Sequence, residues 1–210
     1  IDPARLTHEL VRRLIGRLQD QDIRNKTVAN LMQRYNIDAE HAKRVEQTVS
    51  ACFRQLRDHW SLDRDNDLKH LHWAARLHEI GLAIAHNQYH KHGGYLLNNS
   101  DLPGFSREEQ SLLAFLVRCH RRKIAPEELQ ALSDDIQQKA LRLCIMLRLA
   151  VVLNRGRSQN PLPEFQLTVG DGNIQITFPD NWLSEHPLTE ADLKTEAEYL
   201  AAIKTTLNFS

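Results

Sequence analysis

The segment 135–154 constrains the fold most, because apolar residues lie on most sides of the helix that its pattern predicts. A helix without a polar face has to be surrounded by other elements, so we expect this one at the centre of a helical core. Arg142 and Arg148 interrupt it, and no apolar run in the chain reaches the roughly 20 residues that cross a bilayer. We therefore expect no transmembrane segment.

Helical periodicity also covers most of the chain before this segment. Leucines spaced four apart predict an N-terminal helix; they are Leu6, Leu10, Leu14 and Leu18. Further helices are expected over 22–35, from an Asp38 cap onwards, over 67–85 and after His90. Ser106 and Glu109 have the spacing of a capping box, which predicts another helix start.

Strand patterning occurs only near the C-terminal end. Residues 165–169 and 174–178 alternate in polarity around a Gly-Asp-Gly turn, which predicts a β-hairpin. A lone hairpin is marginally stable, so it should pack on the helices or pair with another segment. Thr189 is predicted to cap a closing helix that runs to about residue 207. The predicted fold is mainly α, with a helical domain followed by a small hairpin and a closing helix.

The charge distribution divides the chain at the same place. The whole chain has 27 basic and 27 acidic residues, but residues 1–157 hold 25 basic and 19 acidic ones, or +6. Residues 158–210 hold two basic and eight acidic ones, or −6, and begin with the linker sequence SQNPLP. We predict a domain over 1–157 and an acidic appendage over 158–210 packed on it. A basic body can attract polyanions.

The cysteines and the N-terminal sequence indicate the compartment. Cys52, Cys119 and Cys144 are odd in number, form no CxxC pair and lie among apolar neighbours, so we expect reduced thiols. The first residues lack the basic and apolar regions of a signal peptide. We expect a cytoplasmic protein.

Histidines cluster in a way that suggests metal chemistry, with seven of the eleven between residues 59 and 92. His41, then the pair His78-Glu79, then Asn154 stand in the order of the metal ligands of the HD metal-dependent phosphohydrolases, which the chain therefore resembles. It departs from that pattern because Glu79 is one methylene longer than aspartate and Asn154 is neutral, which weakens the hold on a hard cation. We expect an HD-like domain with a degenerate metal site and no tightly bound divalent ion, with His78 and Glu79 held by hydrogen bonds.

Three longer segments carry a more specific resemblance. They are DIRNKTVANLMQRYNID, AARLHEIGLAIAHNQYHKHGGYLLNNSDLPGF and LVRCHRRKI. The chain is similar in them to the C-terminal region of the exopolyphosphatase / guanosine pentaphosphate phosphatase family, and the basic VRCHRRK sequence favours the exopolyphosphatase.

The resemblance implies an accessory role. In that family the hydrolytic centre lies in N-terminal actin-like domains that use Gly-rich phosphate loops, a carboxylate and Mg²⁺, and this chain has no such loop. We therefore expect no catalytic residues and no cofactor in this chain, with Mg²⁺ implied for the full-length enzyme. The implied roles are to bind inorganic polyphosphate, to contact the enzyme's own N-terminal catalytic domains and to form a homodimer. The apolar leucine face of the predicted N-terminal helix must be covered by this domain, by a second subunit or by the missing domains, and the second possibility is a further reason to expect a dimer.

A cationic cluster supplies the candidate polyphosphate site. It comprises Arg118, His120, Arg121, Arg122 and Lys123, with Lys91 and His92 expected across a groove. If a helix continues through the cluster, residues 118, 121 and 122 share one face. Protonation of His86, His90, His92 and His120 below roughly pH 6.5 would strengthen binding if they line the groove. The competing interpretation is a helix C-terminus that attracts cations through its dipole.

Two other functions remain open. An active metal-dependent phosphohydrolase would place a metal-bound water among histidines and one acid, namely His41, His78, Glu79, His86, His90 and His120. A nucleic-acid or protein-interaction module has only the basic cluster in its favour, and aromatic residues total just 6%. Because no interleaved stacking set accompanies the cations, we expect no nucleic-acid partner.

Overall fold

The computed structural model describes residues 23–170 and 172–210, and its architecture is mainly α with a small three-stranded sheet. The expected N-terminal helix with its spaced leucines lies outside the described residues. The helices are α1 (described over 23–34), α2 (Ala39–Leu56), α3 (Asn66–Leu77), α4 (Tyr89–Asn99), α5 (Arg107–Cys119), α6 (Pro126–Gln130), α7 (Asp134–Leu153), α8 (Trp182–Glu185) and α9 (Pro187–Ala201). The predicted mainly α fold is confirmed.

Helix α7 lies at the centre of the core, as its apolar pattern predicts. It contacts α2, α3, α5, α6 and α9. Eleven of its residues are buried, and they include Arg148 among the apolar side chains. Truncating a fully buried leucine of α7 such as Leu143 should cost about 2–5 kcal/mol, because close neighbours on every side cannot collapse into the space.

Two helix starts agree with the sequence. Asp38 accepts a hydrogen bond from the backbone nitrogen of His41 and caps α2. Ser106 and Glu109 form a complete capping box at the start of α5. These caps satisfy backbone donors that have no partner within the helix.

One predicted helix is divided in two. The segment expected to be helical over 67–85 ends as α3 at Leu77, and a short 3₁₀ helix follows at Ile80–Ala83. Helix α4 packs closely against this 3₁₀ helix, since a Cβ atom on Gly81 would lie 1.9 Å from the carbonyl oxygen of Tyr89 and 2.5 Å from the nitrogen of Gly93. The expectation of one continuous helix is therefore wrong, and His78-Glu79 lies at the break.

The predicted hairpin is confirmed, and it has a third strand. Strands β1 (Gln166–Gly170) and β2 (Asn173–Thr177) pair antiparallel, with Leu167 opposite Ile176. Strand β3 (Thr206–Phe209) pairs parallel with β2. The closing helix starts at Pro187 rather than after a Thr189 cap. It ends at Ala201, before β3, so its expected continuation to residue 207 is wrong. The marginal hairpin is completed by the segment that follows that helix.

The acidic segment is joined to the helices by specific polar contacts. The side-chain amide of Gln55 on α2 donates to the carbonyl of Phe165 and accepts from the nitrogen of Leu167, as a neighbouring strand would. Arg148 on α7 forms two hydrogen bonds with Glu196 on α9, at 2.5 and 3.0 Å. Within the described ranges, no helix is both long enough and apolar enough to cross a membrane.

Candidate functional site

A row of buried imidazoles lies where α2, α4 and the ends of α3 and α5 meet. The ring centroids of His41 and His78 are 5.5 Å apart, those of His78 and His120 are 5.4 Å apart, and those of His120 and His90 are 6.4 Å apart. All four side chains are buried. Residues from four separate segments of the sequence thus form one polar cluster in an otherwise apolar interior.

Local geometry fixes the orientation of two of these rings. His78 and His120 each follow the last turn of a helix, where carbonyl groups lack helical partners. The Nδ1 of His78 donates to the carbonyl of Ala75 at 2.7 Å, and the Nδ1 of His120 donates to that of Val117 at 2.6 Å. Their Nε2 atoms therefore carry the lone pairs.

The environment keeps these imidazoles neutral. Burial lowers the pKa of His41 to about 4, although the nearby Glu79 carboxylate opposes the shift. Burial also lowers the pKa of His78, and it lowers that of His120 well below its ordinary value. A buried imidazolium would lack sufficient solvation, so the uncharged form is favoured.

The residues expected from the HD pattern are only partly brought together. Ligand atoms of His41, His78 and Glu79 lie within 4.8 Å of one another. The amide nitrogen of Asn154 instead donates to the hydroxyl of Thr48 and to the carbonyl of Ala150, both at 2.8 Å. The amide of Asn154 therefore serves to fix the end of α7 against α2.

Arg157 is a member of this site that the sequence pattern did not reveal. Its Nη2 lies 2.5 Å from an oxygen of Glu79, and its Nη1 lies 2.9 Å from Oδ2 of Asp38. The only signal in the sequence was a basic residue three positions beyond Asn154.

The HD resemblance implies a divalent cation, and the residues do not fit one. The nearest carboxylate, Glu79, is already bound by a guanidinium, and a hard cation prefers several oxygen ligands. The two imidazoles suit a softer metal, but the Arg157 charge lies on the one anionic ligand of the set.

A cationic cleft of about 660 Å³ lies on the other side of His120, between the start of α4 and the end of α5. Its lining includes the cations Lys91, Arg118, Arg121, Arg122 and Lys123. The expectation that residues 118, 121 and 122 share a helical face is wrong, because α5 ends at Cys119 and Arg122 has a φ of 63°. The turn after the helix, rather than helical spacing, brings these cations together.

The cations differ in how firmly they are held. Arg118 forms an ion pair with Glu128 across the cleft, with hydrogen-bond distances of 2.8 and 2.7 Å. The guanidinium of Arg121 lies 4.7 Å from the ring centre of Tyr89. Lys91 and Lys123 are exposed, and neither forms an ion pair with any residue that the structure describes.

Of the four histidines expected to line this cleft, two do so. His86 and His90 line it, whereas His92 is half-buried and outside its lining. His120 is buried and lies in a smaller adjoining cavity of about 110 Å³ with Arg121 and Arg122.

The positive charge of the cleft is reflected in the titration of His90. Burial, followed by the nearby Arg121, Arg118 and Lys91, lowers the pKa of His90 to about 4. The lowered pKa values of His90 and His120 therefore give no support to a gain of binding from protonation of these two residues near pH 6.5, and that gain stays a prediction.

Another cleft, of about 790 Å³, lies between α2 and the segment 160–166. Its lining includes two arginines, Arg44 and Arg54, and the acidic Glu164. Five cations and two acids, Glu127 and Glu128, line the cleft beside His90, a net charge of +3 against +1 for this one. The cleft beside His90 is therefore the stronger candidate for a polyanion.

Comparison with known proteins identifies the family. Residues 23–197 match the family described as Ppx/GppA phosphatase, domain III. The chain belongs to this family. The resemblance read from the three sequence segments is thereby confirmed, and with it membership of a family of phosphoanhydride hydrolases.

Three similar curated proteins share one name, guanosine-5'-triphosphate,3'-diphosphate pyrophosphatase. The protein of Aeromonas hydrophila subsp. hydrophila is 35% identical over 92% of this chain and 39% of its own length. The proteins of Pseudoalteromonas translucida and Aeromonas salmonicida are 33% and 34% identical, over 90% and 92% of this chain. The chain spans about two fifths of the length of these relatives.

Proposed function

We propose that this domain III binds the phosphate chain of the substrate of a Ppx/GppA phosphoanhydride hydrolase, while other domains perform the hydrolysis. The observation that carries the proposal is the cleft lined by Lys91, Arg118, Arg121, Arg122 and Lys123. A linear polyphosphate bears about one negative charge per phosphate, so several moderate ionic contacts along one cleft suffice to hold it.

The types of cation suit this ligand. Arginine grips phosphate oxygens with two parallel hydrogen bonds, whereas lysine acts as a point charge. Exposed Lys91, Arg122 and Lys123 are available to a ligand at little cost, because they give up no buried contact. Arg118 contributes less, since Glu128 already neutralises it.

Two sources of the phosphate chain are compatible with the cleft. The basic sequence after α5 favours inorganic polyphosphate and hence an exopolyphosphatase. The names of the relatives favour guanosine 5'-triphosphate 3'-diphosphate as the second candidate. Both ligands present a phosphoanhydride chain, so the same cations would contact either.

The test is equilibrium binding of inorganic polyphosphate and of guanosine 5'-triphosphate 3'-diphosphate, each at two salt concentrations. The variant replaces Lys91, Arg122 and Lys123 together with alanine. We expect affinity to fall at least about tenfold, and the slope of log affinity against log salt to decrease by roughly one per lost phosphate contact.

The matched control replaces three exposed cations elsewhere, Lys43, Arg64 and Arg107, and so removes the same charge. Equal losses in both triple variants would show that only net charge matters and would remove the cleft from the proposal. The ligand that loses more affinity in the cleft variant is the source of the bound phosphate chain. Competition by RNA for the cleft would instead indicate a nucleic-acid module.

The proposal also covers the parts of the enzyme that lie outside the domain. Hydrolysis, with its Mg²⁺ requirement, is assigned to N-terminal catalytic domains, and the full-length enzyme is proposed to be a homodimer in the cytoplasm. The alternative of an active HD phosphohydrolase has Arg157 on Glu79 against it.

A further inference from the structure

The cluster of His41, His78 and Glu79 has the donor atoms of a metal site. Two imidazoles and one carboxylate are a ligand set that zinc binds, and their ligand atoms lie within 4.8 Å of one another. The Nε2 of His78 is buried and has no hydrogen-bond partner within the described ranges. In a zinc site each of these donors would lie about 2 Å from the ion.

A guanidinium already supplies positive charge at this cluster. Arg157 bridges the carboxylates of Glu79 and Asp38, and about 10% of the Glu79 side chain remains exposed. The same Asp38 caps α2 with its other oxygen, so the guanidinium is attached to a fixed part of the fold. An incoming metal ion would have to break both ion pairs of Arg157 or tolerate its charge at short range.

The backbone directs Arg157 to this position. Its φ of 51° lies in the left-handed region, which few residues other than glycine adopt without strain. The turn after α7 then sends two neighbouring arginines to different partners: Arg157 reaches Glu79 and Asp38, whereas Arg155 pairs with Asp192 on α9. Residue 157 therefore combines an uncommon backbone conformation with two ion pairs of its side chain.

We propose that the Arg157 guanidinium replaces a divalent cation at the cluster of His41, His78 and Glu79 and excludes such a cation from it. Through Asp38 and Glu79, the guanidinium connects the segment after α7 with the start of α2 and the end of α3. A metal ion and the ion pairs of Arg157 with Glu79 and Asp38 therefore exclude each other at this site.

The experiment measures metal binding directly. Arg157→Gln and Arg157→Ser are titrated with Zn²⁺ by calorimetry and with Co²⁺ by visible absorption, beside the parent protein. The glutamine side chain can still donate a hydrogen bond to Glu79 but carries no charge. If Arg157→Ser fails to fold, Arg157→Gln therefore still tests the proposal. We expect each variant to bind one equivalent of Zn²⁺ at least about tenfold more tightly than the parent does, because the repulsion is removed. Arg157→Lys, which keeps the charge, should not gain affinity.

Two further variants make the result specific. Arg155→Gln removes a positive charge from the same turn but not from the cluster, so it should bind Zn²⁺ as the parent does. Adding Glu79→Gln to Arg157→Gln should abolish the gain. If a folded Arg157→Gln protein and the parent bind Zn²⁺ equally, whether tightly or not at all, Arg157 does not exclude the metal and the proposal is wrong.

Discussion

Arg148 is fully buried in α7, and its charge is balanced by a single carboxylate. Glu196 on α9 supplies that carboxylate, while a third nitrogen of Arg148 donates to the carbonyl of Cys119 at 2.5 Å. Burial raises the pKa of Glu196, and Arg148 limits the rise. This one residue pair therefore makes the packing of the acidic segment on the helical core depend on charge.

We predict that Glu196→Gln destabilises the protein more than replacement of both partners does. The single change leaves a buried, uncompensated guanidinium, which typically costs about 3–5 kcal/mol, a large part of the roughly 5–15 kcal/mol by which native proteins are stable. The double variant Arg148→Met with Glu196→Leu should recover much of this loss, because neither charge then needs solvation. Urea unfolding of the three proteins provides the measurement. A double variant less stable than Glu196→Gln would mean that the ion pair, not the packing, stabilises this interface.

At the scale of elements, periodicity predicted where helices exist, and tertiary contacts decided where they end. The caps at Asp38 and Ser106 were visible because they depend on residues three positions apart. The break at His78-Glu79 was not, since apolar residues continue in the helical pattern beyond it. Strand β3 was missed because four residues after a helix show no strand pattern of their own, and each pairs with a residue 33 positions earlier.

The break itself gives a testable prediction. Gly81→Ala places a methyl group 1.9 Å from the carbonyl oxygen of Tyr89, and its three nearest neighbours are backbone atoms that cannot rotate away. We expect a loss of about 3 kcal/mol or more in the free energy of unfolding, because α4 must move. Gly156→Ala is the control, since nothing lies within 4 Å of its added methyl group, and it should change stability by less than about 1 kcal/mol. Thermal unfolding compares them, and similar melting temperatures would show that α4 is free to shift.

At the scale of the whole molecule, the site combines features that the sequence shows with others that only the fold creates. The resemblance indicated His41, His78 and Glu79, and the structure brings these three together. The cation cluster after α5 was visible as a run of basic residues, but its cleft depends on a turn that helical spacing did not predict. Arg157 could not be predicted, because its partners lie 78 and 119 residues away and no local pattern connects them.

The row of imidazoles makes the stability of the whole domain depend on pH. Burial lowers the pKa values of His41 and His90 to about 4, and lowers those of His78 and His120 as well, relative to about 6.5 in the unfolded chain. Between these values the unfolded state binds protons that the folded state does not, so the stabilisation is complete above pH 6.5 and is lost as the pH falls towards 4.

We therefore predict that the free energy of unfolding decreases from pH 7 to pH 4.5, with each buried histidine contributing a slope of up to about 1.4 kcal/mol per pH unit. His90→Gln should reduce the slope by one proton, because its imidazole no longer titrates on unfolding. Urea unfolding across this pH range provides the measurement. A slope that His90→Gln leaves unchanged would show that burial of His90 does not control the titration.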